Sequence, residues 1–390
     1  MIAPFANHLP VRIAFGEGVL ATLPGILRGE GCRHAFVVVD AGLEELVMPV
    51  AETLALLARD GIELTRFVKE PGEPTIDVVD AAAAALAGSG ADVAVAVGGG
   101  SVIDAAKSAR LCALRGATFA EFLAGDRSIP APSLPLVCVP TTAGTGSEVS
   151  GGAVITDPAT NGKAGIAGPE LRAQHALVDP ALTYSLPREV TAYTGIDALA
   201  QAIAAVVAKV RTPVGNAIAL EAVRLGGRSL AAAVRDGSDR DARSELACAS
   251  LMAGLAMNIS DCTAEHSLAQ ALGGTFHLPH GLTIGLVLAE TLERERHHVP
   301  ELLERVADAL GEPDDGSRDG SRAVRAVRRL LAELDVPVLR EVGVAAGDLD
   351  GLVERALADF FITQSPSPWT AAEARAAFES ALALEQRRPR

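Results

Sequence analysis

Aromatic residues are scarce in this sequence. Phe, Trp and Tyr together make up 3% of the 390 residues, whereas hydrophobic residues as a whole make up 49%. This apolar content excludes a disordered chain and can fill a sizeable core, which alanine, valine and leucine must build. The length suits about two domains of roughly 100–200 residues each.

Positive charge is in short supply as well. The chain carries 34 Lys and Arg residues against 49 Asp and Glu residues, a formal net charge of −15. An acidic chain repels phosphate backbones, and no cluster of Lys and Arg with interleaved aromatic residues offsets that repulsion. We therefore expect no nucleic-acid partner.

Paired cysteines and long apolar runs are also absent. Five scattered cysteines without CxxC spacing indicate reduced thiols rather than a disulfide framework. The first residues, MIAPFANHLPVRIAFG, lack the basic segment and apolar run of a signal peptide. No run of about 18 apolar residues predicts a membrane helix, so we expect a cytoplasmic protein with no membrane partner. The cysteines are Cys32, Cys112, Cys138, Cys248 and Cys262.

The first half of the chain alternates strand-like and helix-like segments. β-Branched runs predict the strands, and apolar periodic runs between them predict the helices. This alternation is typical of a parallel sheet that is covered on both faces. The predicted strands are 34–40, 63–68, 91–100 and 134–142, and the predicted helices are 43–61, 75–90 and 101–114.

After about residue 187 the pattern changes to helical periods with few β-branched clusters. The fold class predicted from the sequence is therefore α/β plus all-α. An α/β domain is expected over residues 1–186 and an all-helical domain over residues 187–390. The polar stretch 311–322, rich in Gly and Asp, is expected to be a surface loop.

A glycine-rich motif ends the strand predicted over residues 91–100. In VAVGGGSVIDAAK (95–107), the strand runs into three glycines, and Ser101 then opens a helix. Backbone without side chains lets a phosphate approach closely, and a helix N-terminus presents free N–H donors. The spacing is not the GxGxxG of the ordinary dinucleotide fold. The motif predicts phosphate binding, and the alternative is a tight turn with Ser101 as helix cap.

Two further candidates for nucleotide binding follow other strand ends. The loop VPTTAGTGSEVSGGAVITD (139–157) places hydroxyls and glycines at the edge where open α/β sheets bind ligands. The alternative is a loop whose hydroxyls satisfy its own backbone. Asp40 ends the run FVVVD, where a carboxylate binds a ribose 2′-OH and repels a 2′-phosphate. The alternative for Asp40 is an ordinary turn residue.

An acidic residue and two histidines in the second half indicate a metal site. In GIDALAQAIAA (195–205), Asp197 and Gln201 lie one helical turn apart on the same face. His266 and His280 lie in CTAEHSLAQALGGTFHLPHG, with His280 in a Pro-His-Gly turn. Asp197, His266 and His280 can form a three-ligand set with an open position, as catalytic metals require. The alternative for each histidine is a polar residue satisfied by hydrogen bonds.

Six blocks of the sequence resemble the iron-containing (group III) alcohol dehydrogenases in order and spacing, over nearly the whole chain. That family has the dehydroquinate-synthase-like fold. The resemblance implies an N-terminal Rossmann-like nucleotide-binding domain, a C-terminal helical domain for metal and substrate, an active site in the cleft between them, and a homodimer. The blocks are GGGSVIDAAK, PTTAGTGSEVS, ITDPATNGKAGIAGPEL, VDPALTYSLP, TGIDALAQAI and HSLAQALGGTFHLPHG.

The resemblance also implies a role for each motif residue. It implies NAD(H) in preference to NADP(H) as cofactor, with Asp40 and Lys163 near the ribose, and a divalent metal, iron or zinc. Lys107 belongs to the same signature as Asp104. The implied cofactor residues are Asp40, Gly99, Gly100, Ser101, Asp104, Thr141, Thr142, Thr145, Ser147, Lys163 and Leu182, and the implied metal ligands are Asp197, Gln201, His266 and His280.

The chain departs from the family pattern at two positions. Gln201 and Gln270 stand where the family usually has histidine. An amide oxygen binds iron or zinc weakly, and an amide cannot relay a proton as histidine does. Three explanations remain open. The first is a three-ligand site formed by Asp197, His266 and His280, the second is metal-free reduction as in the maleylacetate reductases, and the third is a protein that binds nucleotide without turnover.

The expected function is hydride transfer between NAD(P)H and a small, polar aldehyde or ketone, or the reverse reaction on the alcohol. If a metal is bound, we expect it to polarise the carbonyl oxygen; if not, we expect His266, His280 and Lys163 to donate hydrogen bonds to that oxygen. His277 is expected to replace the missing proton relay. The alternative for His277 is a solvated loop residue. The alternative functions are a metal-independent reductase like the maleylacetate reductases and a dehydroquinate-synthase-like lyase, although basic residues for a phosphorylated sugar acid are not apparent.

Overall fold

Two units make up the structure, a computed structural model that describes residues 4–125, 128–129, 134–158 and 162–385. Residues 8–186 form the first unit. The residues from Pro187 onward form the second, together with those described before His8.

The first unit holds the strands. They are β1 Arg12–Phe15, β2 His34–Asp40, β3 Glu63–Lys69, β4 Val93–Gly98, β5 Leu136–Pro140, β6 Gly152–Asp157, β7 Gly162–Ala167 and β8 His175–Val178. Six of them form one sheet in the order β1-β8-β5-β4-β2-β3, and every neighbouring pair runs parallel. Strands β6 and β7 pair antiparallel as a separate ribbon. The parallel sheet predicted from the strand–helix alternation is confirmed.

Apolar clusters cover both faces of this sheet. Along β2, Val37 and Val39 pack into one cluster, and Phe36 and Val38 pack into the other. Successive side chains of a strand point to opposite faces, so a strand buried on both sides reads as an unbroken apolar run. The helices of this unit are α1 Leu23–Gly29, α2 Leu43–Leu46, α3 Met48–Arg59, α4 Ile76–Ser89, α5 Gly100–Arg115 and α6 Phe119–Leu123.

The register of the parallel strands brings the predicted nucleotide residues to one edge of the sheet. Val39 of β2 pairs with Val97 of β4, and Gly98 of β4 pairs with Pro140 of β5. Asp40, the last residue of β2, and the residues after Gly98 and Pro140 therefore lie at neighbouring strand ends. This is the carboxyl edge, where open α/β sheets bind ligands.

The second unit is helical throughout its described part, as predicted. Its longest helices, α7, α8 and α9, pack on one another, and α11 also packs on α7. Alanine and glycine allow these close approaches, which explains how the unit forms a core with few aromatic residues. The helices are α7 Arg188–Val207, α8 Pro213–Arg235, α9 Arg240–Ser260, α10 Ala264–Phe276, α11 His280–Glu295, α12 Pro300–Ala309, α13 Ser321–Glu333, α14 Leu349–Ala358 and α15 Ala371–Ala383.

One of these helices is more apolar than the sequence reading allowed. Helix α7 is 20 residues long with a hydropathy of 1.5 over its 18-residue window, so by length and composition it is able to cross a membrane. However, 83% of that window is buried inside the unit. The expectation that no such run exists was wrong, and the burial shows that α7 is a core helix.

Other elements differ from their predictions in detail. The single helix predicted over residues 43–61 is two helices, α2 and α3, separated at Val47. Pro49 lies in the first turn of α3. Backbone N–H groups in a first turn have no acceptor within the helix, so the missing N–H of proline costs no hydrogen bond there. Strands β1, β6, β7 and β8 are not among the predicted strands, because short or glycine-rich segments lack a clear period.

Candidate metal and nucleotide sites

Three residues with metal-binding side chains meet in the core of the helical unit. Helix α7 carries Asp197, α10 carries His266, and α11 begins with His280. The nitrogen Nε2 of His266 lies 3.4 Å from Oδ1 of Asp197, and Nε2 of His280 lies 3.7 Å from the same oxygen. One ligand atom from each residue lies within 4.8 Å of the others. His280 opens a helix after Pro279 and is not in the turn that was expected.

Two buried oxygen atoms at this site have no hydrogen-bond partner in the structure. They are Oδ1 of Asp197 and Oε1 of Gln201, which lie one turn apart on α7. A buried polar oxygen without a partner is costly, and a cation would relieve that cost here. Burial raises the pKa of Asp197, but the nearby imidazoles outweigh this effect and hold it below its usual value. The anionic carboxylate and two imidazoles match the donors that zinc and iron prefer.

The sequence reading missed three neighbours of His266. Glu265 accepts a hydrogen bond from Nδ1 of the imidazole at 2.8 Å. The sulfur of Cys262 lies 3.6 Å from Nε2, and burial raises the pKa of this thiol to about 11. The ring of Phe361 meets the imidazole edge-on at 5.8 Å between centroids. The available signal for Glu265 was its position directly before a candidate ligand. In sequence, however, it cannot be distinguished from the acidic residues that are common in first helical turns.

The two positions expected to affect proton transfer lie at different places on α10. Gln270 is one turn after His266 and is partly buried. His277 is exposed and caps the C-terminus of α10 with a left-handed backbone, φ 54°. The structure therefore places His277 where solvent reaches the side chain.

The glycine motif forms a narrow cradle in the α/β unit. A Cβ atom on Gly100 would lie 2.6 Å from Cγ2 and Oγ1 of Thr145, and one on Gly99 would lie 3.3 Å from Cγ2 of Thr142. The two loops predicted to bind a pyrophosphate are thus in contact, and only glycine fits at their closest approach. As the first residues of α5, Gly100 and Ser101 have amide groups that no carbonyl of the helix can accept from. The cradle therefore suits a phosphate group.

Asp40 lies beside this cradle. Its Oδ2 accepts a hydrogen bond from the amide of Gly99 at 3.4 Å, and its Oδ1 is 4.0 Å from Nζ of Lys69. The side chain of Asp40 is 30% exposed, whereas Lys69 is buried. Burial raises the pKa of Asp40, and the Lys69 ammonium offsets part of that rise. The structure thus places Asp40 at the expected strand end, and its contact with a ribose stays a prediction.

Asp104 and Lys107 join α5 to the second loop. Oδ1 of Asp104 accepts from the hydroxyl of Ser147 at 2.5 Å, and Oδ2 accepts from the amide of Val154 at 2.9 Å. The ammonium of Lys107 donates to Ser147 and Ser150 at 3.0 Å and to the Gly152 carbonyl at 2.8 Å. Lys107 is completely buried. These contacts hold the hydroxyl-rich loop in place against the helix.

The remaining predicted cofactor residues have varied surroundings. Thr141 follows β5 and is buried. Lys163, on β7, forms an ion pair with Glu73 at 3.1 Å. Leu182 is completely buried in one of the apolar clusters of the sheet, so the structure does not set it apart from other core residues.

Comparison with known proteins places the chain in a family. Residues 10–180 match the family model described as iron-containing alcohol dehydrogenase, and residues 191–382 match its C-terminal counterpart. The chain is 36% identical over 359 residues to a probable alcohol dehydrogenase, EutG, of Escherichia coli K12, an alignment that covers 92% of this chain and 89% of EutG.

Solved structures agree with this assignment. A 1,3-propanediol oxidoreductase superposes with a TM-score of 0.92 at 31% identity, covering 97% of this chain and 100% of that one. A sulfoacetaldehyde reductase from Bifidobacterium kashiwanohense, in complex with NAD+, superposes with a TM-score of 0.90 at 26% identity, covering 98% and 100% of the two chains. The chain belongs to the iron-containing alcohol dehydrogenase family.

Proposed function

We propose that this protein is an NAD(H)-dependent alcohol dehydrogenase that requires a divalent metal and acts on a small alcohol or the matching carbonyl compound. The observation that carries the proposal is the convergence of Asp197, His266 and His280 around a buried carboxylate oxygen that has no hydrogen-bond partner. A protein that only binds nucleotide has no need of this costly arrangement, and neither has a metal-free reductase.

The α/β unit supplies the cofactor site in this proposal. The amides of Gly100 and Ser101 would receive the pyrophosphate at the N-terminus of α5. Asp40 would accept the ribose hydroxyls and repel a 2′-phosphate, which favours NAD over NADP. Thr142 and Thr145 line the same cradle. The similar sulfoacetaldehyde reductase was solved with NAD+ bound, which supports the same choice of cofactor.

The helical unit supplies the metal site. Asp197, His266 and His280 would hold the ion, with Gln201 as a weak additional ligand through its unpartnered oxygen. Iron or zinc, when bound, acts as a Lewis acid toward the substrate oxygen. Oxidation of the alcohol transfers a hydride to NAD+ and releases the hydroxyl proton. Gln270 cannot carry that proton, and we keep His277 as the predicted relay. Lys163 also stays a predicted catalytic residue.

We infer the substrate class, the assembly and the location from the family resemblance and the composition. Two similar solved structures are a 1,3-propanediol oxidoreductase and a sulfoacetaldehyde reductase, and these names support a small, polar substrate. We infer a cytoplasmic homodimer with the nucleotide domain over residues 1–186 and the metal domain over residues 187–390.

Metal-dependent turnover tests this function. The protein, loaded with Fe(II) or Zn(II), should reduce short aldehydes with NADH and oxidise short alcohols and diols with NAD+. Chelation removes the metal, and the variant Asp197→Asn removes one of its ligands. Each should therefore lower kcat at least about 100-fold. The matched control is Glu304→Gln, because Glu304 is a buried carboxylate on α12 that binds Arg322 and the amide of Gly320. It should retain activity.

Two results would contradict the proposal in different ways. Turnover that survives both chelation and Asp197→Asn would assign the protein to metal-free reduction. Binding of NAD+ without turnover of any carbonyl or alcohol would leave a nucleotide-binding protein.

A further inference from the structure

A buried carboxylate lies directly behind the imidazole of His266. Glu265 is 2% exposed, and its Oε1 is 2.8 Å from Nδ1 of His266. His266 itself is 4% exposed. The two residues are adjacent in the first turn of α10, yet the side chain of Glu265 points into the unit and not to solvent.

Thr263 holds this carboxylate in place. Its amide donates to Oε1 of Glu265 at 3.1 Å, and its hydroxyl donates to Oε2. With the imidazole, three donors converge on one carboxylate. An ionised carboxylate is an acceptor only, so the hydrogen atom of each bond belongs to the partner. These three donors therefore satisfy the charge of the Glu265 carboxylate.

This arrangement determines which nitrogen of a neutral His266 imidazole can offer its lone pair to a metal ion. Nδ1 must carry the hydrogen that it donates to Glu265, and the lone pair of a neutral imidazole is then on Nε2. Nε2 is the atom 3.4 Å from Oδ1 of Asp197. The tautomer imposed by Glu265 is thus the one that can bind a cation at the site.

We propose that Glu265 is a positioning residue that orients His266 and strengthens it as a metal ligand. The inference rests on the metal site of the proposed function. A carboxylate behind a ligating histidine raises the basicity of the imidazole and fixes its ring. This support offsets the weak ligand at Gln201, where the family usually has a third imidazole.

Metal affinity of the whole protein tests the inference. Zn(II) affinity is measured by competition with a chromophoric chelator for the unmodified protein, Glu265→Ala, Glu265→Gln and Thr263→Val. Loss of a carboxylate behind a ligand typically weakens metal binding about 10- to 100-fold, and we expect that loss in Glu265→Ala. The Zn(II) affinity of Glu265→Gln should lie between those of the unmodified protein and Glu265→Ala, because its amide oxygen still accepts from Nδ1 but carries no charge. Thr263→Val should show a smaller loss in the same direction.

The visible spectrum of the Co(II)-substituted protein separates positioning from general loosening. We expect Glu265→Ala to change the ligand-field bands, because the imidazole is no longer held. Glu304→Gln, which removes the charge of another buried carboxylate of the helical unit, should leave the spectrum unchanged and the affinity within about twofold, as expected when no ligand contact is lost. If Glu265→Ala does not fold, Glu265→Gln and Thr263→Val decide the question, since both keep the side-chain volume.

The result that overturns the inference is affinity within twofold of the unmodified protein for these variants, with an unchanged Co(II) spectrum. An equal loss in Glu304→Gln would overturn it as well, and so would a failure of the unmodified protein to bind Zn(II) or Co(II). The proposed function fails separately. A protein that binds metal with the expected order of affinities but turns over no alcohol or carbonyl would retain the role of Glu265 and lose the assigned reaction.

Discussion

Gly100 is the position where a single methyl group should disrupt the predicted NAD site. A Cβ there would lie 2.6 Å from Cγ2 and Oγ1 of Thr145 and 3.0 Å from its Cβ. Rotation of the threonine side chain cannot move Cβ, so the strain cannot be relieved by a change of rotamer alone. The loop is also unable to retreat freely, because Asp104 and Lys107 hold Ser147.

The size of the effect follows from this contact. Forcing an extra methyl group into packed structure typically costs about 1–3 kcal/mol. If the loop can accommodate the methyl group only by leaving its NAD-binding position, the same free energy appears as about 5- to 150-fold weaker binding, at 1.4 kcal/mol per tenfold change. We expect Gly100→Ala to weaken NAD+ binding by about tenfold or more within that range, and to lower the Tm.

Isothermal titration with NAD+ and thermal unfolding of the same samples measure both effects. The matched control is Gly88→Ala on α4 of the same unit, where an added Cβ meets nothing within 4 Å. That change should leave NAD+ affinity unaltered and stabilise the helix by roughly 0.5–1 kcal/mol. Adding Thr145→Gly to Gly100→Ala should recover part of the lost Tm. If Gly100→Ala binds NAD+ as tightly as the control and unfolds at the same temperature, the two loops do not form the cofactor cradle.

Burial raises the pKa of Glu148 to about 7 from 4.5, so the folded state retains a proton that the unfolded state has released between those pH values. Stability should therefore fall by up to about 3 kcal/mol as the pH rises through that window. Glu148→Gln should remove this loss of stability with rising pH. Parallel profiles of Tm against pH for the two proteins between pH 5 and 8 would refute the raised pKa of Glu148. A Cβ on Gly281 would overlap the carbonyl group of Tyr193, and this backbone contact between α11 and α7 cannot be relieved by a rotamer. Gly281→Ala should cost about 3 kcal/mol or more and displace His280, with loss of bound zinc on elemental analysis. Gly351→Ala, with open space around its Cβ, should behave like the unmodified protein, and full zinc content in Gly281→Ala would contradict the prediction.

Much of the α/β unit was predictable from local sequence. The strand predicted over residues 34–40 coincides with β2, and the helix predicted over 101–114 differs from α5 by one residue at each end. Thr75 caps α4, since its hydroxyl accepts from the amide of Val78 at 3.4 Å. These elements depend on apolar periodicity and capping, which neighbouring residues encode. The antiparallel ribbon of β6 and β7 was missed because its glycines obscure the alternation.

The sequence by itself therefore determined the elements, the division into α/β and helical parts, and the identity of Asp197, His266 and His280 as candidate ligands. Only the tertiary structure decided that these three converge, that an oxygen of Gln201 is buried without a partner, and that Glu265 turns inward to the imidazole. The physical reason is distance along the chain. About 70 residues separate Asp197 from His266, and their meeting depends on how α7 and α10 pack, which no local pattern encodes. An acid in a first helical turn has the same local sequence whether it faces solvent or a ligand, and its burial depends on the helices packed around it.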